Sequence, residues 1–182
     1  MLEAAERVLI DEGHAAVTSR RVAKELGIHA GNVHYYFPTV DDLFIALFDR
    51  GASRNVDRQA DALGSDRPLA ELWQVAAHSR GVIVLNELMA AARLRPALRD
   101  HIDAAARSAR SHQIERVRAL LPEYGLDPAL FPAELVVAAI QGLGLTVARG
   151  RVLGPSADRE AAERAAEQLI EALEARREAN RR

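Results

Sequence analysis

The chain has 182 residues, 49% of them hydrophobic, and a formal net charge of −2, which suits one or two domains with a sizeable core. It contains no cysteine, which excludes disulfides and thiolate metal sites and is compatible with a reducing cytoplasm. The apolar run at 135–148 is too short to span a bilayer, and charged residues interrupt the N-terminal apolar run where a signal peptide needs continuity. We therefore expect a cytoplasmic protein without a membrane segment.

Two helices are predicted before the first tight turn. The first covers about residues 2–12 and ends at Gly13. The second follows Thr18, whose side chain is expected to cap it by accepting a backbone N–H. Gly27 is expected to end this helix, because glycine enters the left-handed region without a Cβ clash.

A third helix is predicted to start near His29, so residues 17–37 form two short helices joined at Gly27. Its outward residues are His29, Gly31, Asn32, His34 and Tyr35. This is the helix-turn-helix arrangement, whose second helix enters the DNA major groove with its N-terminal residues at the base edges. Asparagine can pair with a base edge, and tyrosine or histidine can reach phosphates. The alternative is a helical hairpin whose polar face is merely solvated.

The local charge favours the DNA interpretation. Within residues 17–40 a single acidic residue, Glu25, opposes three basic ones, which gives a local net charge of +2. The basic residues are Arg20, Arg21 and Lys24. Positive charge at this surface would neutralise phosphates. Because the excess is modest, we expect a shallow dependence of DNA binding on salt concentration for each monomer.

Thr39 and Asp42 predict the start of a fourth helix, because they are spaced as the partners of a capping box. This helix is expected to continue to about Leu63, with a mixed surface that suits a bridge between two domains. The predicted domains are therefore residues 1–48, with three helices and the start of the fourth, and residues 49–182.

The remaining helices are predicted from apolar periodicity, with proline and glycine as breakers. An interruption at 78–81 divides the apolar stretch 68–93 into the fifth and sixth helices. The seventh, eighth and ninth helices are predicted at about 97–121, 133–149 and 157–178. The chain is therefore expected to be all-α, with about nine helices.

The eighth helix is apolar nearly all the way round, which requires cover on both sides, and the ninth is amphipathic. Two such helices from each of two chains would form a four-helix bundle, so we expect a homodimer. The expected interface residues are Leu135, Ala139, Gly142, Leu143, Ala166, Leu169, Ile170 and Leu173. A crowded monomeric core is the alternative.

Polar and aromatic residues embedded in the apolar fifth to eighth helices suggest a small-molecule pocket. The candidate lining residues are Trp73, His78, Asn86, Met89, Arg93, His112, Phe131, Gln141 and Thr146. The alternative for each is a hydrogen-bonded core residue, a helix-end residue or an exposed one. The sequence contains neither metal-ligand spacing nor a nucleophile motif, so we expect no enzyme activity, metal or cofactor.

The run from Thr18 to Leu43, with Tyr-Tyr-Phe-Pro at the end of its third helix, resembles the DNA-binding domain of the TetR family of bacterial transcriptional repressors. The resemblance covers roughly residues 2–48. It implies phosphate contacts near the start of the second helix, base contacts at the start of the third, and DNA-backbone contacts from the aromatic run. The implied DNA contacts are Thr18, Ser19, Arg20, His29, Ala30, Gly31, Asn32, His34, Tyr35, Tyr36 and Thr39.

Three positions depart from the family pattern. Val40 stands where relatives commonly carry lysine, Ala30 where they often carry lysine, serine or proline, and His34 where they commonly carry tyrosine. The resemblance implies a homodimeric repressor of a palindromic DNA operator, released by a small apolar or amphipathic effector bound in the C-terminal domain. A helical small-molecule-binding protein without DNA binding is the alternative, suggested by Val40, Ala30 and the acidic balance.

Overall fold

The structure is a computed structural model that describes residues 1–77, 79–154 and 156–182. Every regular element in these ranges is helical, which confirms the expected all-α class. The helices are α1 (Leu2–Glu12), α2 (Ser19–Leu26), α3 (Ala30–Tyr36), α4 (Val40–Leu63), α5 (Pro68–Ala76), α6 (Ser79–Ala92), α7 (Pro96–Leu120), α8 (Ala133–Leu153) and α9 (Ala157–Asn180). Short 3-10 helices lie at His14–Ala16 and Leu121–Tyr124. None of the described helices is long and apolar enough to cross a membrane.

One compact unit, the N-terminal unit, comprises Met1–Arg54 and Arg80–Arg107. Its core contains apolar residues of α1 to α4, including Leu9, Val22, Val33 and Phe44. Residues of α6 and of the first part of α7 belong to the same core: Leu88, Ala91, Ala92, Leu98 and Ile102. The His14 backbone N–H also donates to the Glu87 carboxylate of α6 at 2.8 Å. The first four helices therefore share their core with α6 and the first part of α7, which lie beyond α5 in the sequence.

The other compact unit, the C-terminal unit, comprises Asn55–Ser79 and Ser108–Arg182. Its core includes Trp73, Tyr124, Val137 and Ile170. Helices α5 and α8 approach closely at Gly144, where an added Cβ would lie 2.6 Å from the Cβ of Ala76. Helices α4 and α7 each contribute residues to both units. The predicted boundary between residues 48 and 49 stays a prediction.

The C-terminal unit buries a carboxylate at the start of α5. The Glu174 carboxylate on α9 accepts the backbone N–H groups of Leu69 at 2.8 Å and Ala70 at 3.0 Å. It also accepts the Tyr124 hydroxyl at 3.1 Å. Arg67 precedes α5, and its guanidinium has no acceptor atom that could cap the helix. Glu174 therefore supplies the cap from another part of the chain.

Candidate nucleic-acid interface

Short-range hydrogen bonds build the turn between α2 and α3. Thr18 Oγ1 accepts the Arg21 N–H at 3.1 Å, which confirms the predicted cap of α2. Gly27 ends the helix at φ 66° and ψ 29°, in the left-handed region, as predicted. The Ile28 N–H then donates back to the Ala23 carbonyl at 3.0 Å. These bonds reverse the chain and define where α3 begins.

Helix α3 is held by its inner face and by a cap. Val33 is buried in the core, and Ala30 and Phe37 pack against that core. At the start of the helix, His29 Nδ1 accepts the Gly31 N–H at 3.1 Å. In a neutral ring this leaves the proton on Nε2, which is then a hydrogen-bond donor. His29 is therefore a helix cap as well as an exposed residue, a role that the sequence analysis missed.

The outward face of α3 is exposed, as predicted. Gly31, Asn32 and His34 are exposed, and Tyr35 and Tyr36 are 80% and 64% exposed. The two tyrosine rings meet edge to face with their centroids 5.3 Å apart. Apart from the His29 cap, no side-chain polar group on this face makes a hydrogen bond to another described residue. The face therefore presents an amide, an imidazole and two phenols to solvent.

The predicted contact residues that flank this face vary in exposure. Thr18, Arg20 and Thr39 are exposed, whereas Ser19 and Ala30 are half-buried. The Thr39 hydroxyl donates to Asp42 Oδ2 at 2.7 Å and accepts the Asp42 N–H at 3.1 Å, which confirms the capping box. The Thr39 backbone N–H donates to the same carboxylate oxygen at 2.9 Å, and the two bonds donated by Thr39, from its hydroxyl and its backbone, lower the pKa of the Asp42 carboxyl. The structure brings the predicted residues into one unit, and their contact with DNA stays a prediction.

The cationic side chains of α2 have different surroundings. Arg21 donates to Glu12 through Nε at 3.0 Å and to Glu25 through Nη1 at 3.0 Å. These hydrogen bonds lower the pKa of both carboxyls and raise the pKa of Arg21. Arg20 and Lys24 are exposed and make neither a hydrogen bond nor an ion pair with any described residue. The local positive charge is therefore concentrated on Arg20 and Lys24.

The structure scatters the predicted pocket residues. Asn86 and Met89 on α6, and Arg93 in the turn that follows it, are exposed in the N-terminal unit. In the C-terminal unit Trp73 is a core residue, Gln141 is half-buried, and His112, Phe131 and Thr146 are exposed. His78 lies outside the described residues. The Gln141 amide donates to the buried Gln113 at 2.7 Å, a partner that the sequence analysis did not identify.

Each unit also has a charged surface cleft. A cleft of about 510 Å³ lies between the α4–α5 loop and the end of α9, and one of about 360 Å³ lies beside Glu6, Arg50 and Arg80. Neither cleft is lined by a predicted pocket residue, so the pocket assignment stays a prediction. Among the described residues, no three histidine, aspartate or glutamate side chains are arranged to hold a metal ion.

The predicted interface residues form two groups. Five are exposed: Leu135, Ala139, Gly142 and Leu143 on α8 and Leu169 on α9. The three leucines among them are 55%, 41% and 61% exposed in chain order. Ala166 and Ile170 instead lie in the core of their own chain, and Leu173 packs against it. The first group leaves an apolar surface on the C-terminal unit.

Comparisons with known proteins agree with this geometry. Residues 1–47 match the family described as "Bacterial regulatory proteins, tetR family". No curated protein matches the chain. A transcriptional regulator from Saccharomonospora viridis, solved in complex with choline, is 23% identical with a TM-score of 0.72, over 93% of this chain and 93% of that chain.

Two further structures have the same fold. A TetR-family regulator from Rhodococcus sp. is 21% identical with a TM-score of 0.66, over 96% of this chain and 94% of that chain. The regulator FadR from Bacillus subtilis, solved with stearoyl-CoA, is 19% identical with a TM-score of 0.66, over 93% and 95% of the two chains. At these identities the likeness extends to the fold over nearly the whole chain.

Proposed function

We propose that this chain, whose residues 1–47 match the family of tetR bacterial regulatory proteins, is a transcriptional repressor that binds a palindromic operator as a homodimer. A small apolar or amphipathic effector releases it from DNA. The observation that carries the proposal is the exposed polar face of α3, held in place by the turn at Gly27 and by buried Val33. A short helix presented in this way fits the major groove.

The side chains on this face suit different parts of the DNA. Asn32 lies in the first turn of α3, where recognition helices meet base edges, and its amide can pair with adenine in the major groove. Tyr35 and Tyr36 lie in the last turn and carry hydroxyls that can bond phosphate oxygens. Asn32 is therefore assigned to sequence reading and the tyrosines to positioning.

Operator binding by single-residue variants tests this assignment. Operator DNA is selected from a random pool with the purified chain, and dissociation constants are measured at fixed salt. Asn32→Ala should change base preference, and the binding free energy that favours the preferred base should fall by about 1–3 kcal/mol. Tyr35→Ala should weaken binding to all sequences alike, whereas Glu167→Gln on the exposed part of α9 serves as the control. If neither variant differs from the control, α3 is not the recognition helix.

The homodimer rests on the apolar surface of the C-terminal unit. Leu135, Ala139 and Leu143 follow each other at intervals of four on α8, so they lie on one helix face. On α9, Ala161, Ala165, Leu169 and Ala172 form one exposed flank, while the other exposed flank carries Glu160, Glu167, Glu171 and Glu178. A second copy covering the apolar flank would bury it and leave the acidic flank in water.

Sedimentation at several protein concentrations tests the dimer. Leu143→Glu should weaken self-association about a hundredfold or more, because it places a charge at the centre of a buried apolar face. Leu94→Glu is the matched control, since Leu94 is highly exposed in the N-terminal unit. A wild-type chain that sediments as a monomer at all concentrations would overturn the dimer and leave the helix-turn-helix assignment untouched.

The effector is assigned to the C-terminal half from the polar residues embedded in its apolar helices. The Gln113–Gln141 amide pair at 2.7 Å is such a polar feature between α7 and α8. Two proteins with this fold hold choline and stearoyl-CoA in their crystal structures, so both compounds are suitable first probes. A compound that binds should raise the operator dissociation constant by about 5–150-fold. A compound that raises the melting temperature but leaves operator affinity unchanged would contradict the coupling.

A further inference from the structure

Helix α2 carries three cations within five residues, and the structure treats them differently. Arg21 lies between two carboxylates, Glu12 on α1 and Glu25 one turn further along α2. Glu25 also accepts the Nε–H of Arg7 at 3.2 Å. Two arginines and two glutamates thus form a cluster with no net charge, which we call the Arg21 cluster.

Arg20 and Lys24 lie outside this cluster. They are four residues apart, which places them on the same helix face one turn from each other. Both side chains are exposed and make neither a hydrogen bond nor an ion pair with any described residue. The pKa of Glu12 is lowered mainly by its hydrogen bond with Arg21, and the charge of Lys24 adds only a weak attraction. The exposed edge that they form continues through Gly27 and Ile28 to the start of α3.

We propose that Arg20 and Lys24 are the α2 cations that neutralise DNA phosphates, and that Arg21 is a structural residue whose charge is cancelled within the chain. The proposal rests on the proposed DNA-binding function and adds Lys24 to the interface. Its physical basis is that a cation already paired with two carboxylates would have to lose those bonds before it could neutralise a phosphate. An unpaired lysine or arginine on the surface bears no such cost.

The salt dependence of DNA binding separates the two roles. A cation that neutralises a phosphate releases a counterion, so the logarithm of the association constant falls with the logarithm of salt concentration by about 0.9 per contact. Hydroxyl and amide donors such as Tyr35 and Asn32 release no counterion. Removing one phosphate-neutralising cation from each protomer of a homodimer should therefore reduce the slope by about 1.8.

Three variants that remove one positive charge each provide the test: Arg20→Gln, Lys24→Gln and Arg21→Gln. Fluorescence anisotropy with selected operator DNA gives the dissociation constant from about 50 to 300 mM KCl, a range over which the electrostatic contribution changes strongly. Lys24→Gln and Arg20→Gln should each reduce the slope by about 1.8. Lys24→Arg keeps the positive charge, so its slope should equal that of the wild type. Arg21→Gln should leave the slope unchanged.

Arg21→Gln also removes the bonds that hold α1 to α2, so it could unfold the domain. A second variant therefore tests the role of Arg21 without replacing the arginine. The double variant Glu12→Gln/Glu25→Gln keeps Arg21 but removes the carboxylates that pair with it and with Arg7, so it should make the slope steeper than in the wild type. Thermal melting confirms that each variant is folded. An Arg21→Gln slope that falls as far as the Lys24→Gln slope would overturn the proposal, as would an unchanged Lys24→Gln slope. A wild-type chain without saturable DNA binding would instead reject the proposed function.

Discussion

Helices α2 to α4, which follow the uncapped α1 at the start of the chain, are capped differently from α5 of the C-terminal unit. In the N-terminal unit, α2, α3 and α4 each begin at a side chain two or three residues from the N–H that it caps, namely Thr18, His29 and Thr39. In the C-terminal unit, the residues that precede α5, α8 and α9 accept no side-chain capping bond among the described contacts. Helix α5 is capped by Glu174, which is 105 residues from Leu69.

This difference bears on function as well as stability. Local caps define the ends of short helices with little help from the rest of the chain, and a helix-turn-helix needs its second helix placed at a defined angle. A cap supplied by α9 instead makes the start of α5 depend on how distant helices pack. We therefore expect substitutions at these caps to differ in how much stability they cost and in how far along the chain their effects extend.

The largest effect is expected at Glu174. Glu174→Ala would leave the buried Leu69 N–H, the half-buried Ala70 N–H and the Tyr124 hydroxyl without their acceptor, so we expect a loss of about 3 kcal/mol in the free energy of unfolding. Urea unfolding followed by the fluorescence of Trp73, the single tryptophan of the chain, reports on this unit. Glu171→Ala is the control, because its ion pair with Arg67 is solvent-exposed and contributes little to stability. Equal losses for both variants would contradict the buried cap.

The next effect concerns two glycines of α8. Gly144→Ala would bring a Cβ to 2.7 Å from the Ala76 backbone carbon, so we expect a loss of about 1–3 kcal/mol from overpacking. Gly142 faces open space within the chain, so Gly142→Ala should stabilise the monomer by up to about 1 kcal/mol through helix propensity. Unfolding in urea at low protein concentration compares them. A Gly144→Ala variant as stable as Gly142→Ala would mean that α5 and α8 are further apart at this point.

A smaller loss is expected at the start of α4. Thr39→Ala removes both side-chain bonds with Asp42, and cap removal typically costs about 1 kcal/mol. Thr39→Ser keeps the hydroxyl and is the control. Amide hydrogen exchange should show faster exchange in the first turn of α4 and little change in α9. A change that spreads through both units would contradict a local cap.

The smallest expected effect is a difference between the two units in the pH dependence of their stability. A hydrogen bond with the His14 side chain lowers the pKa of Glu87 in the N-terminal unit. Its stabilisation is present at neutral pH and is lost as the pH falls below the ordinary glutamate pKa of about 4.3. Burial raises the pKa of Tyr124 in the C-terminal unit. That contribution is present at neutral pH and declines as the pH rises above about 10, where the unfolded tyrosine ionises.

Hydrogen exchange at acid and alkaline pH, corrected for intrinsic rates, measures this contrast. Protection in the His14–Ala16 segment should fall first in acid, and protection at the start of α5 should fall first in alkali. Glu87→Gln should remove the acid-dependent part, and Tyr124→Phe the alkaline part. Loss of protection in both segments at the same pH would show that the units respond together.

The start of the chain is the part that local patterns predict well. The cap at Thr18, the turn at Gly27 and the capping box of Thr39 and Asp42 depend on residues within four positions of each other, so their signals lie side by side in the sequence. The exposed face of α3 is likewise predicted from nearby residues, because the helical repeat places its polar residues on the side opposite Val33. The TetR-family resemblance was predicted from this region and agrees with the family match at residues 1–47. The all-α class was predicted from apolar periodicity along the whole chain and is confirmed for the described residues.

Other features depend on contacts between residues distant in the sequence. The neutralisation of Arg21 by Glu12, the cap from Glu174 and the place of Leu88 in the N-terminal core have no local period to announce them. Likewise, a leucine or alanine stripe does not tell whether its own chain or a second copy covers it, and Ile170 is buried within its own chain. Periodicity predicts which face of a helix is apolar, whereas the packing of helices determines which partner each side chain meets.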